Sequence, residues 1–577
     1  MLALTSASLL IASFPNVNQP WCAWVALAPW LWALRRLNAR QAFGWSWLTG
    51  FVFFLGSIRW LIHVTLIGWL LLCAYLGLYF GAFGWLVRQF QGATFVHRPP
   101  WPVIHQSRPP RLLQRTGQPL ACSFVLVPSA WVALEYLRSH LLTGFGWNLL
   151  AYSQTSCRHL IQIADVTGAW GVSFAIVLVN AAFEQSLRQQ QSAASGRKTQ
   201  DSGSSGLRIL HPASCILVVI PAAMVLAMLG YGAWRIPRVM GPQTVRVAVV
   251  QGNIPQTEKW DESRRESILN RYESLTREAA DSHPDLIVWP ETSVPGFLDL
   301  DEPLTQRILG LSQSLDAPLL VGAPRSHLEQ LEWRTTNGAA LVHRGAIVRW
   351  YDKLHLVPFG EFIPLDRQWP WLRRALPPIG DFVPGREYAV FQLRDRLKAE
   401  GSRPKADNIT ASSLQPPASS APQASLQPSA SHLQLPFSVL ICFEDLFPEL
   451  ARRFVLNGAE LLLVITNDAW FGPTAAAYQH AQASSFRAVE LHVPVVRAAN
   501  TGWSGCIDAS GRWLGGVHDA AGKELFVSGI HTCDLSKGAG GSLYLRWGDW
   551  FAWVCLAVTL VSIGCRAIKV RDVRQRT

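Results

Sequence analysis

Charge is what this sequence has least of. Aspartate, glutamate, lysine and arginine make up 16% of its 577 residues, whereas apolar residues make up 49% and tryptophan occurs 26 times. A chain this long and this poor in charge does not read as one soluble domain. With a positive mean hydropathy, it reads as membrane segments joined to a soluble part. Motifs are missing too. No His and Cys spacing fits a zinc site and no glycine-rich phosphate loop is present. Metal and nucleotide chemistry therefore have no motif here, and no cofactor is expected. Ten cysteines are scattered without a framework pattern. Acids are the scarcer charge, 39 against 51 bases, which leaves a net +12. Nucleic-acid binders carry such an excess, but the placement of the bases argues against a nucleic-acid partner.

The apolar residues come in runs. Those at 2–14, 21–34, 43–61, 66–87, 122–142, 160–183, 213–234 and 550–568 predict about eight helices. Most have the roughly 20 apolar residues needed to cross about 30 Å of hydrocarbon. The first is short, and it lacks the charged start and small-residue cleavage site of a signal peptide. It is read as a spanning helix with a truncated or misassigned start. Basic residues fill every second connection: Arg35, Arg36 and Arg40; then Arg98, Arg108, Arg111 and Arg115; then Arg188, Arg197, Lys198 and Arg208; then Arg566, Lys569, Arg571, Arg574 and Arg576. By the positive-inside rule these connections and both termini are cytoplasmic. The chain then divides into helices one to seven over 1–235, an extracytoplasmic domain over 236–548, and a last helix with a basic tail over 549–577. A Ser-, Pro-, Ala- and Gln-rich insert at 396–434 cannot bury a core and is expected to be disordered.

The exported part is organised around Ser438-Val-Leu-Ile-Cys-Phe-Glu-Asp445, an apolar strand that delivers Cys442 beside two acids. A core cysteine is the bland reading of such a thiol. Two upstream junctions of the same form tip the balance. Asp285-Leu-Ile-Val-Trp-Pro-Glu291 and Ile347-Val-Arg-Trp-Tyr-Asp-Lys353 each end a strand on a charged group. Glu291 can accept a thiol proton, Cys442 can attack a carbonyl as thiolate, and Lys353 can hold the oxyanion that develops. Strands alternating with helices from Val245 onward indicate a layered α/β sandwich.

These three residues resemble the Glu-Lys-Cys set of the nitrilase, or carbon–nitrogen hydrolase, superfamily, which implies an α-β-β-α sandwich. Such a domain placed between helices seven and eight of a polytopic α-helical membrane protein is similar to the apolipoprotein N-acyltransferase family. The stretches that carry this are Gln251-Gly-Asn-Ile-Pro-Gln256, Trp289-Pro-Glu291, His355-Leu-Val-Pro-Phe-Gly-Glu361 and Asn467-Asp-Ala-Trp-Phe-Gly472. The resemblance implies supporting roles for Trp260, Glu361 and Glu444. It implies tyrosine where this chain has Phe443. It also implies transfer of a fatty acyl chain from a phospholipid to the N-terminal amine of a diacylglyceryl lipoprotein, through a Cys442 thioester. The implied setting is the bacterial inner membrane, with the catalytic domain periplasmic and a monomer sufficient.

Other readings stay beside this one. A membrane-tethered amidase acting on a small amide would use the same three residues. A transporter with an exported sensor would need more intramembrane charge than this chain has. A binding module without activity would tolerate loss of the Cys442 thiol. Arg59 and His63 flank a tryptophan, and Glu135 and Arg138 sit three apart, placed to pair on one helix face; intramembrane ions of this kind are functional or structural. The glycines of Leu142-Thr-Gly-Phe-Gly-Trp-Asn148 permit close backbone approach, to a lipid or within a plain turn. Trp470 and Phe471 suit a membrane interface or a core. His480 is a general acid, a ligand or, as preferred, a structural hydrogen-bonding group. Cys506 and Cys533 can pair in an oxidising compartment, with single burial preferred.

Overall fold

The computed structural model describes residues 1–91, 122–197, 212–329, 332–364, 366, 368–375, 380–392 and 435–576. The expected insert at 396–434 and the bases Arg98, Arg108, Arg111, Arg115, Lys198 and Arg208 lie outside them. The N-terminal region is helical, with Leu2–Ala12, Ala39–Ser57, Leu66–Gln91, Val127–His140, Ala169–Arg197 and Pro212–Arg235 as its main pieces. The final helix, Trp550–Arg576, packs back against Val127–His140. Their inner faces share one core of Leu10, Phe14, Trp30, Phe53, Phe54, Phe80, Phe83 and Trp131. Their outer faces are apolar as well: Ile67, Leu71, Val218, Leu226, Leu560 and Val561 are exposed, as suits a surface facing hydrocarbon.

Four of these helices are long and apolar enough to cross a membrane: Leu66–Phe90, Ala169–Gln191, Ile216–Arg238 and Trp550–Ile568. The expected count of eight is not met by length and composition among the described residues. The run at 21–34 is broken into Pro20–Cys22, Ala23–Ala26 and Ala28–Leu34. Pro20 and Pro29 each lack the N–H that would bond the preceding turn. The run at 160–183 is likewise divided, into Arg158–Ile161, Ala164–Thr167 and Ala169–Arg197.

The rest of the chain is a four-layer sandwich. Strands β1 (Met240–Gln251), β2 (Leu286–Val288), β3 (Leu319–Glu329), β4 (Glu332–His343), β5 (Ala346–Asp352) and β11 (Gly529–Gly538) form a six-stranded sheet in the order β11-β1-β2-β3-β4-β5. Strands β6 (Phe437–Ile441), β7 (Leu461–Thr466), β8 (Val495–Ala499), β9 (Gly505–Ile507) and β10 (Trp513–Gly516) form a second sheet in the order β10-β9-β8-β7-β6. The period of two assigns the faces. Val245, Val247 and Val249 of β1 and Leu286 and Val288 of β2 face the second sheet, against Val439, Leu463 and Val496. The residues between them, Ala248, Val250 and Ile287, pack against helices Arg265–Ala280 and Glu302–Gln313 through Ile268, Tyr272, Leu304 and Ile308.

On the far side of the second sheet lies helix Ala476–Leu491, buried along nearly its whole length. Ala481, Ala488 and Leu491 pack on the strands, whereas Ala476, Ala483, Phe486 and Val489 pack into the core of the N-terminal helices. This helix therefore joins the two parts. Polar ties reinforce the seam. The Gln479 amide accepts from Trp60 and Trp147 and donates to the carbonyls of Pro15 and Ser57. Cys506 and Cys533, expected to be buried singly, form a disulfide. They lie on β9 and β11, and the stacking of the two sheets brings their Cα atoms to 6.6 Å.

Candidate active site

Each charged group sits where a strand ends. Glu291 follows β2 by way of Trp289 and Pro290. Its turn crosses β3 at Gly322, where a Cβ would lie 2.2 Å from the Pro290 carbonyl oxygen and 2.7 Å from the Glu291 Cα. Only glycine admits that approach. Lys353 follows β5, and its amide donates to the Asn337 carbonyl at 2.8 Å, which sets it beside β4. Cys442 ends β6 and heads the short turn Cys442–Leu446, with φ at +53°. That left-handed backbone is strained for a residue with a Cβ and is found at functional turns.

The side chains converge. The Lys353 ammonium lies 2.9 Å from Glu361 Oε2 and donates to Oε1 at 3.0 Å; it is 3.7 Å from Glu291 Oε1. The Asn337 amide bridges the two carboxylates, donating to Glu291 at 2.7 Å and to Glu361 at 2.8 Å. Lys353, Glu291 and Glu361 are buried, and Cys442 is partly exposed as a residue. Burial works to strip Lys353 of its proton, but Glu361 and then Glu291 outweigh it and hold its pKa above the ordinary range. Burial pushes the Cys442 thiol well up, and the charge of Glu291 pushes it further while Lys353 opposes. At rest the sulfur is therefore a thiol, and it needs a base to become a nucleophile.

Glu444 is a clamp. It is fully buried and accepts from the amides of Ile441 (2.7 Å), Leu354 (2.7 Å) and His355 (3.0 Å) and from the Tyr351 hydroxyl (2.8 Å). One carboxylate thus ties the strand before Cys442 to the residues after Lys353. Burial raises its pKa to about 7 against the pull of these donors. Trp260, by contrast, is 53% exposed, and no hydrogen bond or ring contact among the described residues brings it to the cluster. Phe443 packs against His355 and Phe447.

Two residues of this site escape a reading of the sequence. Asn337 is one, and its only signal is a polar residue opening an apolar run. Lys259, next to Trp260, is the other. It is buried, and its ammonium donates to the Glu291 carbonyl at 3.0 Å. Burial drives its pKa down to about 8, with Glu291 and Cys442 pulling the other way.

The segments around the site settle several open points. His480 makes structural contacts, described below. Glu135 and Arg138 do not bond each other. Glu135 accepts from the Leu150 amide and Arg138 donates to the Trp147 carbonyl, so each serves a backbone group of the segment that follows their helix. The loop's glycines approach protein rather than lipid: a Cβ on Gly146 would meet the Leu446 carbonyl at 2.8 Å, and one on Gly144 would meet the Phe447 ring at 3.0 Å. Phe471 packs with Trp60 and Trp147, whereas Trp470 is exposed.

Residues 6–182 match the family model of the apolipoprotein N-acyltransferase N-terminal domain, and residues 246–530 match that of carbon-nitrogen hydrolases. An apolipoprotein N-acyltransferase of Geobacter metallireducens is 34% identical over 96% of this chain and 93% of its own length. Proteins of the same name from Methylococcus capsulatus and Chlorobaculum tepidum are 31% and 26% identical. They align over 79% and 99% of this chain, and over 76% and 97% of their own lengths.

Proposed function

The chain belongs to the apolipoprotein N-acyltransferase family, and from that premise we propose how its own residues carry the acyl group. It is an N-acyltransferase; the donor is a membrane phospholipid and the acceptor the N-terminal amine of a lipoprotein's diacylglyceryl cysteine. Glu291 takes the Cys442 thiol proton as sulfur attacks the donor's ester carbonyl. The C–S bond forms and the negative charge on the carbonyl oxygen meets the Lys353 ammonium. Collapse breaks the ester C–O bond, Glu291 returns the proton to the leaving alcohol, and a lysophospholipid departs. The acceptor amine then attacks the thioester. Its proton passes to Glu291, the C–S bond breaks, and the proton returns to sulfur. Two half-reactions through one acyl-enzyme give ping-pong kinetics. Glu361 and Asn337 hold Lys353 and Glu291 at working distance, and Glu444 holds the two ends of the site together. Trp260, half exposed, lines the approach to the site.

In this reading the chain crosses the inner membrane eight times, with both termini and the basic connections cytoplasmic. Residues 236–548 stand in the periplasm. Residues 1–235 and 549–577 are the membrane parts, and one chain suffices.

The observation that carries the proposal is the convergence of Lys353 on both Glu361 and Glu291 within electrostatic reach of the Cys442 sulfur. The test is to incubate the protein with phospholipid vesicles, digest it and weigh the Cys442 peptide. An adduct of one acyl chain is expected, absent in Cys442→Ala and slow to form in Glu291→Gln. Turnover without an adduct, or an adduct on another residue, overturns the assignment.

A further inference from the structure

His480 has no part in the proton transfers above, yet it touches the nucleophile. Its imidazole is fully buried. Nε2 lies 3.1 Å from the backbone carbonyl oxygen of Cys442 and 2.9 Å from Asp445 Oδ1; Nδ1 lies 3.1 Å from Asp468 Oδ1. A ring with an acceptor against each nitrogen is served by the doubly protonated form, which donates from both. The surroundings balance that charge. Arg497 donates to Asp445 at 2.6 Å and to Ser484 at 2.7 Å, and Ser484 donates to Asp445 at 2.6 Å. Arg487 donates to the Asp445 carbonyl at 3.2 Å. Two carboxylates thus face one imidazolium and one guanidinium. The indole of Trp147, from the loop of the N-terminal region, stacks on the imidazole with centroids 5.1 Å apart and planes at 29°. The neighbouring residue, Gln479, bonds Trp60, Trp147, Pro15 and Ser57 of that same region.

We propose that His480 is a positioning residue for Cys442: its Nε2–H grips the nucleophile's own carbonyl and holds the left-handed backbone that aims the sulfur at Glu291 and Lys353, while Trp147 fixes the plane of the ring. The strained φ of +53° at Cys442 needs such a hold. Cys442 stands first in its turn, and the His480 ring reaches its carbonyl from outside that turn at 3.1 Å. His480 supplies the hold from a separate, fully packed helix. The same helix carries Gln479, so the position of the nucleophile is set jointly by the sheet it grows from and the helical region it serves. This rests on Cys442 being the acylated residue.

The test compares two charge-balanced double variants with wild type. In His480→Gln with Asp468→Asn, the glutamine amide reaches the place of Nε2 and keeps the bond to the Cys442 carbonyl. In His480→Asn with Asp468→Asn, the shorter amide reaches only the place of Nδ1 and loses it. The asparagine variant should acylate Cys442 roughly 100-fold more slowly, the scale of a misplacement of about 1 Å, with an unchanged KM for phospholipid. The glutamine variant should stay within about fivefold of wild type. Asp468→Asn alone, which removes the charge facing Nδ1 and alters the acceptor of the Thr466 hydroxyl, leaves the Nε2 bond in place and should slow acylation less than the asparagine variant does. The rate of Cys442 alkylation by iodoacetamide is read in parallel and should follow the same order. Equal acylation in the asparagine variant and wild type, or equal slowing in both double variants, overturns the inference. If wild type forms no thioester at all, the proposed reaction falls, and the alkylation rates still decide the role of His480.

Discussion

Glu361→Gln changes one oxygen to nitrogen and should disable the site. Oε1 of Glu361 accepts from Lys353 and from Asn337; Oε2 lies 2.9 Å from the Lys353 ammonium and accepts from the Val357 amide at 2.8 Å. An amide nitrogen in the first place faces the Asn337 donor, and in the second it faces the Val357 N–H. Neither flip of the side chain avoids a donor against a donor. Lys353, whose side chain is 1% exposed, also loses its nearest counter-charge. Breaking one side of a buried ion pair costs about 3–5 kcal/mol, and a buried unsatisfied donor costs about 1–3 kcal/mol more. Relaxation and the remaining attraction to Glu291 return part of this, so a loss of about 3 kcal/mol in unfolding free energy is expected. The chemical step should suffer more visibly. The ammonium, with Glu291 as its one remaining anion, draws that carboxylate away from the sulfur. The rate should fall on the scale of losing an oxyanion donor, roughly 10²–10³-fold. Single-turnover acylation of Cys442, followed by mass spectrometry, reads the rate, and a thermal melt in detergent reads the stability. A Glu361→Gln protein that acylates Cys442 within threefold of wild type refutes the reasoning, because Lys353 would then be held without Glu361.

Cys442→Ala should abolish acyl transfer while leaving the melting temperature within a few degrees of wild type, since it removes one atom from a partly exposed residue; residual transfer would place the nucleophile elsewhere. Burial depresses the pKa of His480, but Asp445 and Asp468 outweigh it and raise it from 6.5 to about 9. The folded state therefore holds that proton more tightly than the unfolded chain. The stabilisation is complete below about pH 6.5 and is lost as pH rises through about 9, on the order of 3 kcal/mol in all. The stability difference between wild type and the His480→Gln, Asp468→Asn protein should shrink by that amount from about pH 6 to about pH 10; a constant difference would contradict the ion cluster. Cys533→Ser opens a loop of 27 residues between the two sheets and should cost about 3.5 kcal/mol by loop-closure entropy. Thiol labelling under denaturing, non-reducing conditions should leave Cys506 and Cys533 unmodified in the wild type and expose Cys506 in the variant. Glu444→Gln, in the flip that keeps an oxygen for Leu354, His355 and Tyr351, turns an amide nitrogen to the Ile441 N–H; it should lower both stability and acylation, by about 1–3 kcal/mol in unfolding free energy.

Glu291, Lys353 and Cys442 are legible in the sequence for one reason. Each ends an apolar run, and a charged or nucleophilic group at a strand end is visible in a short window. Glu361 and Glu444 were reachable only through family resemblance, because what they do depends on loops folding back to meet them. Asn337 faces Glu291 and Glu361 through the register that pairs it with Pro324 of β3 and sets its carbonyl against the Lys353 amide, and no local pattern encodes a register. Lys259 carries no local signal that sets it apart from Trp260, yet the tryptophan is exposed and the lysine buried. The break at Leu27 is legible from Pro29 two residues on, although the hydropathy of the run around it reads as continuous. For Cys506 and Cys533 the sequence admits pairing but favours single burial, because the two meet only when two sheets stack. His480 shows the limit most sharply. Its contacts come from residues 12 and 38 positions away along the chain and from a tryptophan in the helical region. A sequence window finds the groups that react. The groups that hold them in place are fixed by what lies opposite, and in this chain much of what lies opposite belongs to the other half of the molecule. Separating the hydrolase part from its helices should therefore cost it the geometry of Cys442 as well as its anchorage, and a soluble 236–548 fragment that still acylated Cys442 at the full rate would break that link.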